Sequence, residues 1–251
     1  MGGAKGDGMS AATRLSVKVH KWLALLMAIQ ILFWFLSGLF FALAPMERVR
    51  SEHVKAEAPL RDLPIGLAAA GLQRIAGEAP GERIEMRWLL DRPVAVVSPA
   101  EGPPRLYDLG SGRLISPIRP ALAAAIAEAD LEGPARAARV TRITEETSEY
   151  RAELPAWRVD FDGGANRALY VAEDTGAVTA RRSTLWRVYD FLWGLHIMDF
   201  RNHEDFNTPL LIVATALALV VAVTGIVLLP SRLGFVGWRR QRRRNEPEAE
   251  P

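Results

Sequence analysis

The chain contains no cysteine and only four histidines among its 251 residues. Without thiols there are no disulfides, no thiolate metal sites, no iron–sulfur clusters and no cysteine nucleophile. An oxidising compartment is compatible with that composition but not required by it. Charge of neither sign is in excess. Lys and Arg number 31 against 29 Asp and Glu, a formal balance of +2, so no nucleic-acid partner is expected. Short catalytic signatures are also missing: there is no G-x-S-x-G, H-E-x-x-H, P-loop or dinucleotide fingerprint. That argues against a hydrolase or a nucleotide enzyme.

Two long apolar runs are present. The stretch from Trp22 to Met46 carries no charge and as a helix would reach about 37 Å, enough to cross a hydrocarbon core of about 30 Å. The second uncharged run extends from Phe206 to Ser231, with Pro209 and Pro230 near its ends, where a helix tolerates proline. Two membrane-spanning helices are therefore expected, over residues 14–46 and 206–231. A cleaved signal peptide is the alternative for the first, because Ala42-Leu43-Ala44 resembles an A-x-A site. Against it stand the length of the run, Pro45 directly after it, and Trp22 and Trp34 as interfacial anchors. Basic residues near the span ends set the orientation. Arg232, Arg239, Arg240, Arg242, Arg243 and Arg244 follow the second span, while only Arg187 and Arg201 stand just before it. Both termini are thus expected in the cytoplasm, with residues 1–13 a disordered tail, 232–251 a basic tail and the central segment periplasmic.

Residues 47–183 between the spans mix helical and strand patterns. A helix is expected from Leu67 to Ala76, followed by strands at Arg83–Leu90, Val94–Val97 and Arg105–Tyr107. A second helix at Ala121–Ala129 precedes strands near Arg139–Thr144, Ala156–Phe161 and Ala168–Ala172. Helix followed by three strands therefore occurs twice, over about 60–118 and 119–183. A sequence echo supports the repeat: the nine residues from Leu106 to Leu114 can be laid on those from Tyr170 to Val178, each with a Ser/Thr-Gly turn after a strand. The fold class expected is α+β, with two transmembrane helices flanking two helix-plus-antiparallel-sheet units.

The second of these elements resembles the strand–turn–strand of a PepSY unit, and two such units between spans resemble the PepSY-associated transmembrane family. Further matches are Val19-His20-Lys21-Trp22-Leu23, Trp34-Phe35-Leu36-Ser37-Gly38-Leu39, Leu195-His196 and Thr224-Gly225-Ile226-Val227-Leu228-Leu229. Relatives that reduce ferric siderophores have more spans than two. The resemblance implies haem b as cofactor, with His20 and His196 as ligands. A membrane thickness separates these two, so each would need a second imidazole from a homodimer or a membrane partner subunit. His203 is a further candidate metal ligand, and His53 has no clear match.

Around His196, a helical reading of residues 184–205 puts Tyr189, Leu192, Trp193, His196 and Phe200 on one face, with His203 returning to it. That aromatic face suits either a porphyrin cover or a belt in the headgroup layer. Asp199, Glu204 and Asp205 beside His203 read either as groups orienting an imidazole or binding a cation, or as a solvated shoulder of the span. Ala214, Ala218 and Ala222 recur every fourth residue and permit close helix approach, to the first span or to another copy. Two functions stay open: a haem-binding protein of electron transfer or iron (siderophore) assimilation, and a non-enzymatic binding or regulatory module of the envelope acting on a protease or transporter.

Overall fold

The computed structural model describes residues 11–57, 61–77, 83–163 and 165–232. Two compact units emerge, one comprising Leu43–Phe191 and the other Met1–Ala42 together with Leu192–Pro251. The arginines at 239–244, on which the orientation rests, and the first ten residues lie outside the described residues.

The helical unit is built on α1 (Ala11–Leu43) and α6 (Pro209–Arg232). Their apolar stretches, 30 and 21 residues long, are long and apolar enough to cross a membrane. Most of their large side chains are exposed, among them Trp22, Leu25, Ile29, Phe35 and Leu39 on α1 and Ile212, Leu219 and Ile226 on α6. In lipid such a surface needs no further cover. Shielded positions follow a spacing of three and four residues: 17, 20, 24, 27, 31, 34, 38 and 41 on α1, and 211, 214, 218, 221, 225 and 228 on α6. Across these lines His20 of α1 meets Thr224 and Gly225 of α6. Of the expected alanine stripe, Ala214 and Ala218 are shielded and Ala222 is exposed, where the reading of another copy as partner stays open.

The α+β unit opens with α2 (Met46–Val49) and a 3-10 turn at Glu52–Val54. Then come α3 (Ile65–Ile75) and an antiparallel sheet of β1 (Arg83–Leu89), β2 (Arg92–Ser98) and β3 (Arg105–Asp108). After α4 (Pro120–Ala129), a second antiparallel sheet runs β4 (Ala137–Ile143), β5 (Ala156–Phe161), β6 (Ala168–Ala172), β7 (Val178–Arg182). The fold class is thus as expected, with one strand more in the second sheet.

The echo between the two copies holds bond by bond. Gly112 N donates to Asp108 O at 2.7 Å and Gly176 N to Ala172 O at 2.9 Å. Asp108 N donates to Arg113 O, and Ala172 N to Ala177 O, both at 2.9 Å. Tyr107 bridges Leu114 as Val171 pairs Val178. Both turn glycines have positive φ, 75° and 66°, the conformation that costs glycine least. What is a full strand β7 in the second copy is a single bridge at Leu114 in the first.

All four residues Val94–Val97 of β2 are buried, because its sheet is covered on both faces. On one side Ala95 and Val97 join Ile75 of α3, Tyr107 and Leu109. Gly71 lets α3 come that close: a Cβ there would lie 2.8 Å from the carbonyl oxygen of Leu109. On the other side Val94, Val96 and Leu106 share one core with Ile126 of α4 and with Val159, Leu169 and Val171 of the second sheet. The far face of that sheet is closed by Tyr150, whose ring stacks on Tyr170 at 4.4 Å.

The helix α5 (Thr184–Ile197) starts in the α+β unit and ends in the helical one.

Candidate functional site: two imidazole–hydroxyl pairs

The helical unit brings two of the predicted histidines into the same local chemistry. His20 projects from α1 onto α6, where its Nδ1 lies 2.8 Å from Thr224 Oγ1. His196, in the last turn of α5, has its Nδ1 2.7 Å from Ser37 Oγ on α1. Each hydroxyl has a single proton, and each has already given it to its own helix. Thr224 Oγ1 donates to Val220 O at 2.7 Å, and Ser37 Oγ to Phe33 O at 2.5 Å. A hydroxyl oxygen whose proton is spent can only accept. With the hydroxyl proton on the helix carbonyl, each imidazole donates from Nδ1–H and carries its lone pair on Nε2; with the hydroxyl turned to the ring, the roles reverse. The first arrangement is the tautomer a metal takes as ligand, with the far nitrogen fixed by an outer partner.

A glycine follows each hydroxyl. At Gly225 a Cβ would come 3.2 Å from Cε1 of His20, so the ring edge occupies the missing side chain's place. At Gly38 a Cβ would meet nothing within 4 Å. No packing inside the chain calls for glycine there, although glycine costs about 1 kcal/mol against alanine in a helix.

The Ser37–His196 pair is the more enclosed. Trp193 lies parallel to His196 with ring centres 6.4 Å apart, and Phe41 meets it edge-on at 5.4 Å. Trp34 Nε1 donates to the His196 carbonyl at 2.8 Å, satisfying one of the acceptors a helix leaves open at its end. Burial holds the His196 imidazole below its ordinary pKa, which favours the neutral form. Along α1 the two hydroxyl-paired sites, at positions 20 and 37, are about 26 Å apart.

His203 does not join His196. The expected helix through residue 205 stops at Ile197, and Met198 and His203 both turn to positive φ. The His203 ring instead packs flat on Gly194, where any Cβ would clash with it. Gly194 is two residues from His196, on the opposite side of α5. The cause of the turn is Asp199, 6% exposed. Its Oδ1 accepts from the N–H groups of Arg201 and Asn202 at 3.1 and 3.2 Å, and its Oδ2 from those of Glu204 and Asp205 at 2.9 and 3.0 Å. These bonds, that of Asp205 foremost, hold the carboxyl well below the usual range against the cost of burial. Asp199 thus neither orients an imidazole nor forms a solvated shoulder; it closes a loop.

His53 is exposed in the other unit. Among the described residues no three His, Cys, Asp or Glu side chains converge as a metal site, so the chain offers single-imidazole sites rather than a multidentate cage. Ser37 and Thr224 are the hydrogen-bond partners of these imidazoles that sequence reading passed over. Their signal was the repeated Ser/Thr-Gly step in each span.

The family model of the PepSY-associated TM region matches residues 17–247. The chain belongs to this family. The match takes in both spans, both imidazole–hydroxyl pairs and the whole α+β unit of this PepSY-associated protein. No curated protein and no solved structure matches the chain.

Proposed function

We propose that this PepSY-associated membrane protein binds haem b, which His20 and His196 would each hold through one imidazole, at opposite ends of its span pair. One observation carries the reading: both rings are held through Nδ1, and Nε2 of each has no partner among the described residues. Gly38, open on its outer side, leaves room for a flat group beside the Ser37–His196 pair. Trp193 and Phe41 supply the apolar wall that such a group needs. Haem, when bound, supplies one-electron chemistry whose potential is set by ligand and surroundings. The chain's own residues orient each imidazole through a hydroxyl, and at His196 burial favours the neutral ring while Trp193 and Phe41 flank it. Since the two sites are about 26 Å apart along α1, one chain provides one ligand per site, and the second comes from another copy or a partner subunit. The function that follows is electron transfer across the inner membrane serving iron assimilation. Both termini are then cytoplasmic and the α+β unit periplasmic, as the basic tail of the sequence suggests.

The test is haem per chain and the Soret spectrum of gently purified protein expressed with ample haem. Wild type should hold haem; His196→Ala and His20→Ala should each lose a separate share. Unchanged spectra in both variants, or no haem in wild type, would leave the non-enzymatic binding module as the function.

A further inference from the structure

The α+β unit has four sheet edges, β1 and β3 in the first sheet and β4 and β7 in the second. An open edge is a template for another strand, and folded proteins blunt it with short strands or bulges. Three of the four edges are blunted in this way. β3 has only four residues and bridges Leu114 on its outer side. β4 and β7 each carry a bulge, at Ala137–Arg139 and at Val178–Ala180. β1 has neither device. It runs for seven residues in unbroken register with β2 and contains no proline and no lysine.

The hairpin decides which backbone groups of β1 face outward. Pro93 O accepts from Leu109 N at 3.0 Å, so Pro93 faces β3. Antiparallel pairs alternate between bonded and non-bonded. Trp88, opposite Pro93, is therefore not bonded to β2, and the same holds for Met86 and Ile84. Their N–H and C=O groups point out of the sheet, and no backbone group among the described residues bonds them. Their side chains share the face that β2 turns to α3, where Ile84 is 44% and Met86 38% exposed. On the other face Glu85 and Arg87 alternate in sign. Glu85 is exposed, with Arg83 3.7 Å away in solvent. Arg87 donates to Thr175 O at 2.7 Å and makes no ion pair among the described residues.

This pattern is complementary to itself. Two copies of β1 laid antiparallel about a two-fold axis set residues of the same face opposite each other. With the axis at Met86, Met86 of one copy meets Met86 of the other, Ile84 meets Trp88, and Glu85 meets Arg87 in two crossings. All three outward residues then form backbone bonds. An axis at Glu85 sets Glu85 on Glu85 and Arg83 on Arg87, and an axis at Arg87 sets Arg87 on Arg87, and like charges oppose pairing. An axis at Ile84 pairs little more than the first three residues of the strand. We propose that β1 is a homodimerisation edge, joining two copies antiparallel about Met86 so that two three-stranded sheets become one continuous sheet. The proposal stands apart from the haem reading, and haem-free protein tests it.

The experiment uses the full chain in mild detergent, with light scattering for mass and hydrogen exchange for the edge. Wild type should be a dimer in which the amides of Ile84, Met86 and Trp88 exchange slowly. Glu85→Arg, a change at an exposed side chain, sets Arg opposite Arg87 in both crossings. It should weaken the dimer roughly tenfold and release those three amides, while the amides of Arg87 and Leu89, bonded to β2, stay protected. Because the chain has no cysteine, one introduced thiol reports alone. Met86→Cys should give a disulfide-linked dimer under mild oxidant, since a bonded antiparallel pair holds its Cα atoms about 5.5 Å apart. Leu114→Cys, exposed beside the blunted edge of β3, should not. A monomeric wild type with fast exchange at the three amides would overturn the proposal and leave the edge to an extended segment of another protein. A dimer that Glu85→Arg does not weaken and Met86→Cys does not lock would overturn it as well, and would join through another surface.

Discussion

The loop that follows His196 is closed by one carboxylate, and replacing it with its amide tests whether that closure is structural. Asp199→Asn leaves one acceptor oxygen where there were two. The new NH₂ group then faces two of the four N–H donors of Arg201, Asn202, Glu204 and Asp205. Two backbone donors left unpaired cost roughly 1–3 kcal/mol each when buried. The four residues that carry these N–H groups are exposed, so released donors reach water and the lower end applies, about 2 kcal/mol in all. Hydrogen exchange of residues 201–205 in nanodiscs should then accelerate roughly thirtyfold while α6 exchange stays unchanged. The pH dependence follows from the sign of the shift. A carboxyl held below its unfolded pKa stabilises the loop above about pH 3.9, and this is lost only as pH falls through the lower folded value. Wild-type protection, corrected for intrinsic exchange, should therefore persist down to pH 4, and Asp199→Asn should be flat over that range. Equal exchange in wild type and variant would refute the closure argument.

Four further outcomes are expected. Gly71→Ala should lower the thermal midpoint of the α+β unit by a cost of about 2–3 kcal/mol, because its Cβ meets the backbone of Leu109 at 2.8 Å and that carbonyl cannot swing away. Asp130→Asn should cost about 3 kcal/mol, since it strands the guanidinium of Arg181, 15% exposed and bound through two nitrogens; the double change with Arg181→Met should recover most of this in a denaturation cycle. The Tyr170 hydroxyl, pushed up to about 12 by burial, should resist ionisation in an ultraviolet titration. The stability it contributes, full below pH 10, should then fade between about pH 10 and 12. Ser37→Ala should shift the ¹⁵N signal of His196 Nδ1. It should also make the imidazole easier to disorder as pH falls below about 6.5, because burial already disfavours the charged ring and the variant removes the ring's hydrogen bond to Ser37.

The parts of this molecule legible in the sequence are those written in local pattern. An uncharged run from Trp22 to Met46 is a span whatever surrounds it, and a Ser/Thr-Gly turn after a strand announces the same hairpin at Gly112 and at Gly176. The repeat was readable because its geometry is short-range, down to the pairs Tyr107–Leu114 and Val171–Val178. The helix end at Ile197 was not, because nothing local stops a helical pattern there. Residues 198–205 are turned by Asp199 reaching forward to the backbone, a contact that spacing cannot reveal.

The two histidines themselves were visible, but their equivalence was not. His20 meets Thr224-Gly225 and His196 meets Ser37-Gly38, so α1 gives an imidazole near one end and a hydroxyl near the other. Stability does not explain this arrangement. A side-chain hydrogen bond between helices in lipid contributes only about 0.6 kcal/mol on average, and a Leu–Ala contact on the same seam would hold the helices at least as well. Nor does either hydroxyl need the imidazole, because each is already satisfied by its own helix through Val220 O and Phe33 O. What the pairing does accomplish is to fix two ring orientations, with Nε2 of each ring left without a partner among the described residues. A polar device built twice between apolar helices is the arrangement that the proposed haem binding calls for.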